Sequence, residues 1–392
     1  MQNHGMAVAV AAAIAVALGG AAFWLYGHGE GAKLSLSIVF GALFGFILQR
    51  SRFCFFCMFR DWLDERDPRG MLGLLLALGV GMAGYALIFG AWLPDSSGGR
   101  LPPQAFIGPV SVVLVAAGLA FGVGMAISGS CVSAHLYRLG EGSPTAPFAL
   151  IGTAVGMAFG FLTWNTLYTS VVVAAPAVWL PATLGYAGTL VAGFAVLAVL
   201  TGALLRWKNP RLPEPPRSGN VAHAIFIARW PAWVGGLAIG GLATVAYLRV
   251  APLGVTAELG ARSRQAAGAL GILPSRIEGL DTLRGCVIAV GDALLTPNGL
   301  FVISLVLASF AAALVAGQFK PVPPRLAHIV KGLSGGVLLG WGAMTGLGCT
   351  VGTLLSGIMA GALSGWVFGA AVFVGIVVAH RRKGWLWRPV AS

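Results

Sequence analysis

The sequence predicts an all-α protein that crosses a membrane about nine or ten times. Three observations carry this: 57% of the 392 residues are hydrophobic, only 9% are charged, and the mean hydropathy is +0.86. Soluble globular chains run at roughly half apolar and a quarter charged, so a water-soluble fold is excluded.

A helix needs about 20 apolar residues to cross ~30 Å of hydrocarbon. Ten runs qualify: 6–26, 34–53, 71–93, 108–130, 146–174, 182–205, 230–250, 299–317, 332–348 and 350–379. The second and ninth are marginal. The first lacks the basic start and small-residue cleavage pattern of a signal peptide, so it is kept as a helix. Lys and Arg collect in cytoplasmic loops, which accounts for most of the formal charge of +13. Arg60 to Arg69, Arg206 to Arg217, Lys320 to Lys331 and Arg381 to Arg388 then face the cytoplasm, while 94–107 and 175–181 carry almost no charge. The alternation puts both termini inside and the 251–298 connection outside. These cations flank helix ends and form no aromatic-interleaved face, which argues against a nucleic-acid partner. Tryptophans such as Trp92, Trp366, Trp385 and Trp387 suit the interfacial belt.

One pattern recurs at identical spacing: Gly41-x3-Gly45-x8-Cys54, Gly118-x3-Gly122-x8-Cys131 and Gly336-x3-Gly340-x8-Cys349. With glycine at 58 of 392 positions, chance gives this on the order of once in ten thousand. A fourth copy starts at Gly236-x3-Gly240, with Arg249 in place of cysteine. Glycines four apart let two membrane helices approach closely. Ahead of the cysteines stand Gln-Arg-Ser-Arg-Phe, Ile-Ser-Gly-Ser and Thr-Gly-Leu-Gly, residues that favour broken helices. Non-helical backbone at membrane depth survives only inside protein or beside a water-filled cavity, so Cys54, Cys131 and Cys349 are expected to line a path. Gly45, Gly122, Gly340, Ser128, Gly129 and Gly348 are expected to shape it. The loop charges run the first two copies inward and the last two outward, which is an inverted repeat. It divides the chain into halves of 1–217 and 218–392 joined by the basic, proline-rich stretch from Arg206 to Arg217.

The motifs Leu48-Gln-Arg-Ser-Arg-Phe-Cys54 with Phe59-Arg-Asp61, Ser128-Gly-Ser-Cys131 with Tyr137-Arg-Leu-Gly-Glu-Gly142, and Gly346-Leu-Gly-Cys349-Thr-Val-Gly352 resemble the YeeE/YedE family of sulfur-compound transporters, whose best understood members carry thiosulfate. The likeness covers about residues 34–380. It implies an hourglass-shaped inner-membrane protein, pseudo-twofold, with short re-entrant helices dipping toward a narrow waist and Cys54, Cys131 and Cys349 on the pathway. It further implies that a small cytoplasmic sulfur carrier of the TusA type receives the product. Cys57 stands where relatives often have a small residue, and the 6–26 helix is an N-terminal addition.

The chemistry suits such a cargo. A selective path for a dianion must supply hydrogen-bond donors without a deep charge trap, and a thiol buried away from cations keeps its proton and donates weakly. Arg50, Arg52, Arg60 and Arg138 either raise the local anion concentration at the inner mouth or anchor helix ends. Glu141 is expected to pair with a nearby arginine. His135, four residues past Cys131, reads more readily as packing than as a proton relay, and Cys57 and Cys286 read as small buried hydrophobes. Cys54-x2-Cys57 has redox or zinc spacing but no second pair to complete a site, and no cofactor or metal is expected. A membrane thiol or persulfide redox protein, an anchor for sulfur carriers and a transporter of a selenium compound are the competing readings. No ATP-binding P-loop occurs.

Overall fold

The computed structural model describes residues 2–28, 31–208, 220–274, 276–286 and 296–381. Most of the predicted linker, Trp385, Trp387 and the basic residues beyond Arg381 lie outside these. Helix α1 (Gln2–Tyr26) precedes two units of one design, α2 (Gly31–Ser51), α3 (Phe55–Glu65), α4 (Arg69–Trp92) and α5 (Val112–Ser128), α6 (Val132–Gly140), α7 (Ala146–Ser170). After α8 (Leu180–Arg206) and the short α9 (Val221–Phe226), the design returns in α10 (Ala232–Arg249), α11 (Thr256–Ala269), α12 (Pro297–Val315). It returns again in α13 (Leu326–Thr345), a π-helical turn Thr350–Ser356 running into α14 (Gly357–Met359), and α15 (Leu363–Arg381). Each unit is a long helix, a break, a short helix and a long helix. Among the described residues nine helices are long and apolar enough to cross a membrane, and α13 with its bent continuation makes a tenth.

The expected span 350–379 is corrected. Its apolar composition is continuous, but the chain turns at Gly361, whose φ is +74°, and only α15 continues as a long helix. The 251–298 connection is also more structured than its composition implied, since it holds α11. Hydrogen bonds from Ser263 to the Ala154 carbonyl, from the Trp164 indole to the Glu278 carbonyl and from the Glu278 amide to Asn165 tie it to α7.

The breaks share one geometry. The residue two before each cysteine is left-handed: Arg52 at φ 49°, Gly129 at 84° and Leu347 at 59°. Behind these, amides turn back on the helix just ended, Phe53 N–H to Leu48 O at 3.2 Å, Gly129 N–H to Met125 O at 2.8 Å and Gly348 N–H to Ala343 O at 2.8 Å. Such closures satisfy the last carbonyls of a helix and stop it. A Cβ added at Gly129 would meet open space, so the cost of Gly129→Ala is conformational alone. It should remove about 1–2 kcal/mol, read as a lowered melting temperature of the purified protein in detergent.

The glycine pairs explain how the units fit together. Gly41 and Gly45 of α2 press on Phe301 and Leu305 of α12, and Gly236 and Gly240 of α10 press on Gly73 and Ala77 of α4. Gly118 and Gly122 of α5 press on Phe368 and Val372 of α15, and Gly336 and Gly340 of α13 press on Ala149 and Thr153 of α7. Every pair therefore sets the first helix of one unit, parallel, against the last helix of another. The exchange is reciprocal between the first and third units and between the second and fourth. Van der Waals contact of this kind is the main drive for helix association where lipid removes the hydrophobic one. Between α5 and α13 the order reverses: Gly335 meets Ser128, whereas Gly342 meets Ala117 and Phe121. Those two first helices are antiparallel, as an inverted repeat requires.

Candidate functional site

Cys54, Cys131 and Cys349 each occupy the N-cap of the short helix that follows its break, with extended backbone. The Cys54 sulfur accepts the Cys57 amide at 3.5 Å, and the Cys131 and Cys349 sulfurs stand at the same N-cap position without closing such a bond. The sulfurs thus lie at helix N-termini, where unsatisfied amides and the helix dipole favour negative charge. All five cysteines are free thiols.

The structure sorts the thiols into two groups. In the first, Cys54 and Cys131 are neighbours, Cys54 Sγ accepts the Cys57 amide at 3.5 Å, and Cys131 Sγ meets Ser133 Oγ at 3.3 Å. Arg138 Nη2 donates to Cys57 Sγ at 3.2 Å. Cys57, read from sequence as inert packing, is therefore a member of this group; its place one turn after Cys54 on α3 was the available signal. The second group sets Cys286 beside the Cys349 turn: the Thr256 hydroxyl donates to Cys286 Sγ at 3.2 Å, and the Cys286 amide donates to the carbonyl of Leu347, two residues before Cys349, at 2.8 Å. The antiparallel register of α5 and α13 separates the groups, since Gly335 faces Ser128 next to the Cys131 break, whereas Gly342 and Gly346, leading to the Cys349 break, face Ala117 toward the other end of α5. Cys54 and Cys131 are brought together and Cys349 stands apart from them.

Two further groups beside the cysteines carry no partner among the described residues. Ser130 Oγ and Thr350 Oγ1 are fully buried and make no hydrogen bond, a state that is costly unless something else occupies it. His135 is also buried with both ring nitrogens unpartnered. Ser128 bridges its own turn, donating to Gly124 O at 2.9 Å and Ser130 O at 3.1 Å. Gly348 lies against Thr353, where a Cβ would meet both hydroxyl and amide.

The arginines divide by role. Arg50 has no solvent exposure: it donates to the Phe226 and Ile227 carbonyls at 2.8 Å each, to Gln49 at 2.7 Å and to Gln318 at 3.1 Å. Gln49 in turn donates to Glu141 at 3.2 Å. Arg50 is a brace between α2, α9 and the segment after α12. Arg50→Ala would strand buried acceptors and is expected to cost about 1–3 kcal/mol for each one left unsatisfied, checked by loss of monodisperse protein on detergent extraction while Arg52→Ala extracts normally. Arg52 is exposed, as is Arg229 before α10. Partial desolvation, and then the like charge of Arg52, push Arg229 below the ordinary guanidinium range, which marks the two cations as close neighbours on this face. Arg229 was not singled out from sequence. Arg60 pairs with Asp61 at 2.8 Å.

Over residues 50–378 the chain matches the family described as sulphur transport. It is 28% identical over 368 residues to the thiosulfate transporter TsuA of Escherichia coli K12, covering 87% of this chain and 92% of that protein. TsuA of Spirochaeta thermophila is likewise 28% identical over 368 residues, covering 89% and 97%. The probable transporter YedE of Salmonella typhimurium is 27% identical over 180 residues, 45% of this chain and 42% of that one.

Proposed function

The chain belongs to the sulphur-transport family, the YeeE/YedE family its cysteine motifs resemble, and we propose that the solute it carries is thiosulfate. The route runs from the face of the 251–286 segment, past Cys349, to the group of Cys131, Cys54 and Cys57, and leaves beside Arg138, Arg52 and Arg229. The protein is a multi-pass membrane transporter and not an enzyme. We place it in the bacterial inner membrane with both termini cytoplasmic, its halves 1–217 and 218–392 meeting around the route, and a TusA-like carrier protein receiving thiosulfate sulfur inside.

The observation that carries this reading is the pairing of sulfurs with helix N-termini at both ends of an inverted repeat, next to buried hydroxyls that lack partners. Thiosulfate has a polarizable terminal sulfur and three oxygens, so it can take S–H donors at one end and the Ser130 or Thr350 hydroxyl at the other. A neutral thiol binds an anion less strongly than an arginine cluster would, which favours release. The two opposed groups provide separate resting points, and the basic face at Arg52 and Arg229 draws the anion onward. Arg50, braced inside, supplies scaffold and not steering.

Purified protein in liposomes should accumulate sulfur-labelled thiosulfate without added carrier. Unlabelled thiosulfate should compete best, ahead of sulfate, sulfite and selenium analogues. Stronger competition by a selenium compound would reassign the cargo, and no uptake by the protein alone would favour a carrier anchor.

A further inference from the structure

We propose that Cys286 is a fourth pathway thiol, the first that the anion meets, standing in for the cysteine that the third unit lacks. The proposal rests on the transport reading above and adds a residue to it. In three units the thiol at the start of the short helix is supplied in line by the N-cap residue. In the third unit the in-line position is Arg249, and the N-cap of α11 is Val255. The vacancy is filled from elsewhere in the chain. Cys286 Sγ accepts the hydroxyl of Thr256, the first residue of α11, at 3.2 Å and lies against Gly254 just ahead of that helix. All four short segments therefore begin with a sulfur at their N-terminus, three from their own chain position and one from a returning loop.

The loop is held in place for this. The Cys286 amide donates to the Leu347 carbonyl at 2.8 Å, the residue whose left-handed turn precedes Cys349. Gly254, Gly348 and Gly352 form its niche, since a Cβ on any of them would press on the Cys286 side chain. A core cysteine with no other task does not need three glycines cleared around it.

Cys286 also has what an inert thiol lacks, an approach. It lines a cavity of about 670 Å³ together with Arg284, Thr296 and Asn298, several times the volume of a four- or five-atom oxyanion. Among the described residues that line it, the one acid, Glu258, is paired with Arg262 at 2.6 Å and accepts from the Thr296 hydroxyl at 2.6 Å, whereas Arg284 donates to the Pro102 carbonyl at 2.5 Å. Just past Cys286 comes the turn that carries Cys349, held by the Cys286 amide, and the adjoining Thr350 hydroxyl is buried without a partner among the described residues. A thiosulfate seated here would take the two thiols on its terminal sulfur and a hydroxyl on an oxygen. Its place would be ahead of Cys349 on the way in.

The test uses Cys286→Ala and Cys286→Ser in the full chain, with the other four cysteines retained. Alanine should lower thiosulfate uptake into liposomes about tenfold, chiefly through KM, and serine should recover part of it, as expected for a lost hydrogen bond to a charged solute. In spheroplasts, an anionic alkyl thiosulfonate reagent should modify Cys286, read by peptide mass, and thiosulfate should slow that modification while chloride does not. Unchanged uptake by Cys286→Ala, or modification that thiosulfate leaves unaffected, overturns the inference even where the wild type transports thiosulfate. Failure of the wild type to transport removes the cargo assignment instead, and protection of Cys286 by thiosulfate then decides the cavity site independently.

Discussion

Alanine at Cys54 or at Cys131 is expected to reduce thiosulfate uptake about 10- to 100-fold, because a hydrogen bond to a charged group is worth about 1.5–3 kcal/mol and each 1.4 kcal/mol is tenfold. The two thiols are neighbours in one group, so removing either also changes the surroundings of its partner. The double variant should therefore lose less than the product of the single losses. Uptake into liposomes at matched protein content measures this, with melting temperature as the check on folding. Both side chains are small, so the fold should persist. Wild-type uptake by the two single variants would remove the thiols from the route.

The second large effect is expected on assembly. In Gly340→Val the new Cβ meets the carbonyl of Thr153 and the amide of Met157, which are helix backbone and cannot rotate away. Overpacking costs about 1–3 kcal/mol and sometimes more, and here α13 and α7 would have to part. Loss of monodisperse protein on size exclusion in detergent is the expected outcome. Gly241→Val is the control, since a Cβ there meets nothing within 4 Å. Equal behaviour of the two would dispose of the interlocked packing account.

What could be read from sequence followed the physics of each feature. Spans were legible because hydrocarbon imposes length and composition together, and the breaks because Gly-x3-Gly-x8-Cys recurs. Span 350–379 was misjudged because hydropathy does not register a turn made by Gly361 inside an apolar run. For Arg50 steering and anchoring stayed open in the sequence because its partners Phe226, Ile227 and Gln318 are remote along the chain; folding shows its donors engaged. Spacing within a repeat says nothing of distance between repeats, so the separation of Cys349 from Cys131 was not legible. Cys286 was set aside because it obeys no spacing, coming 30 residues after Thr256. The hint was Arg249, a gap in a pattern otherwise kept.

The reciprocal exchange of helices has a consequence for biosynthesis. When the ribosome has delivered α2 and α5 to the bilayer, their partners α12 and α15 do not yet exist, and the bare backbone strips of Gly41, Gly45, Gly118 and Gly122 face lipid. The early half thus inserts without a finished mate and waits for translation to end. Two polypeptides cut between α8 and α10 and made in one cell should find each other and rebuild the carrier, whereas either made singly should be cleared by membrane proteases.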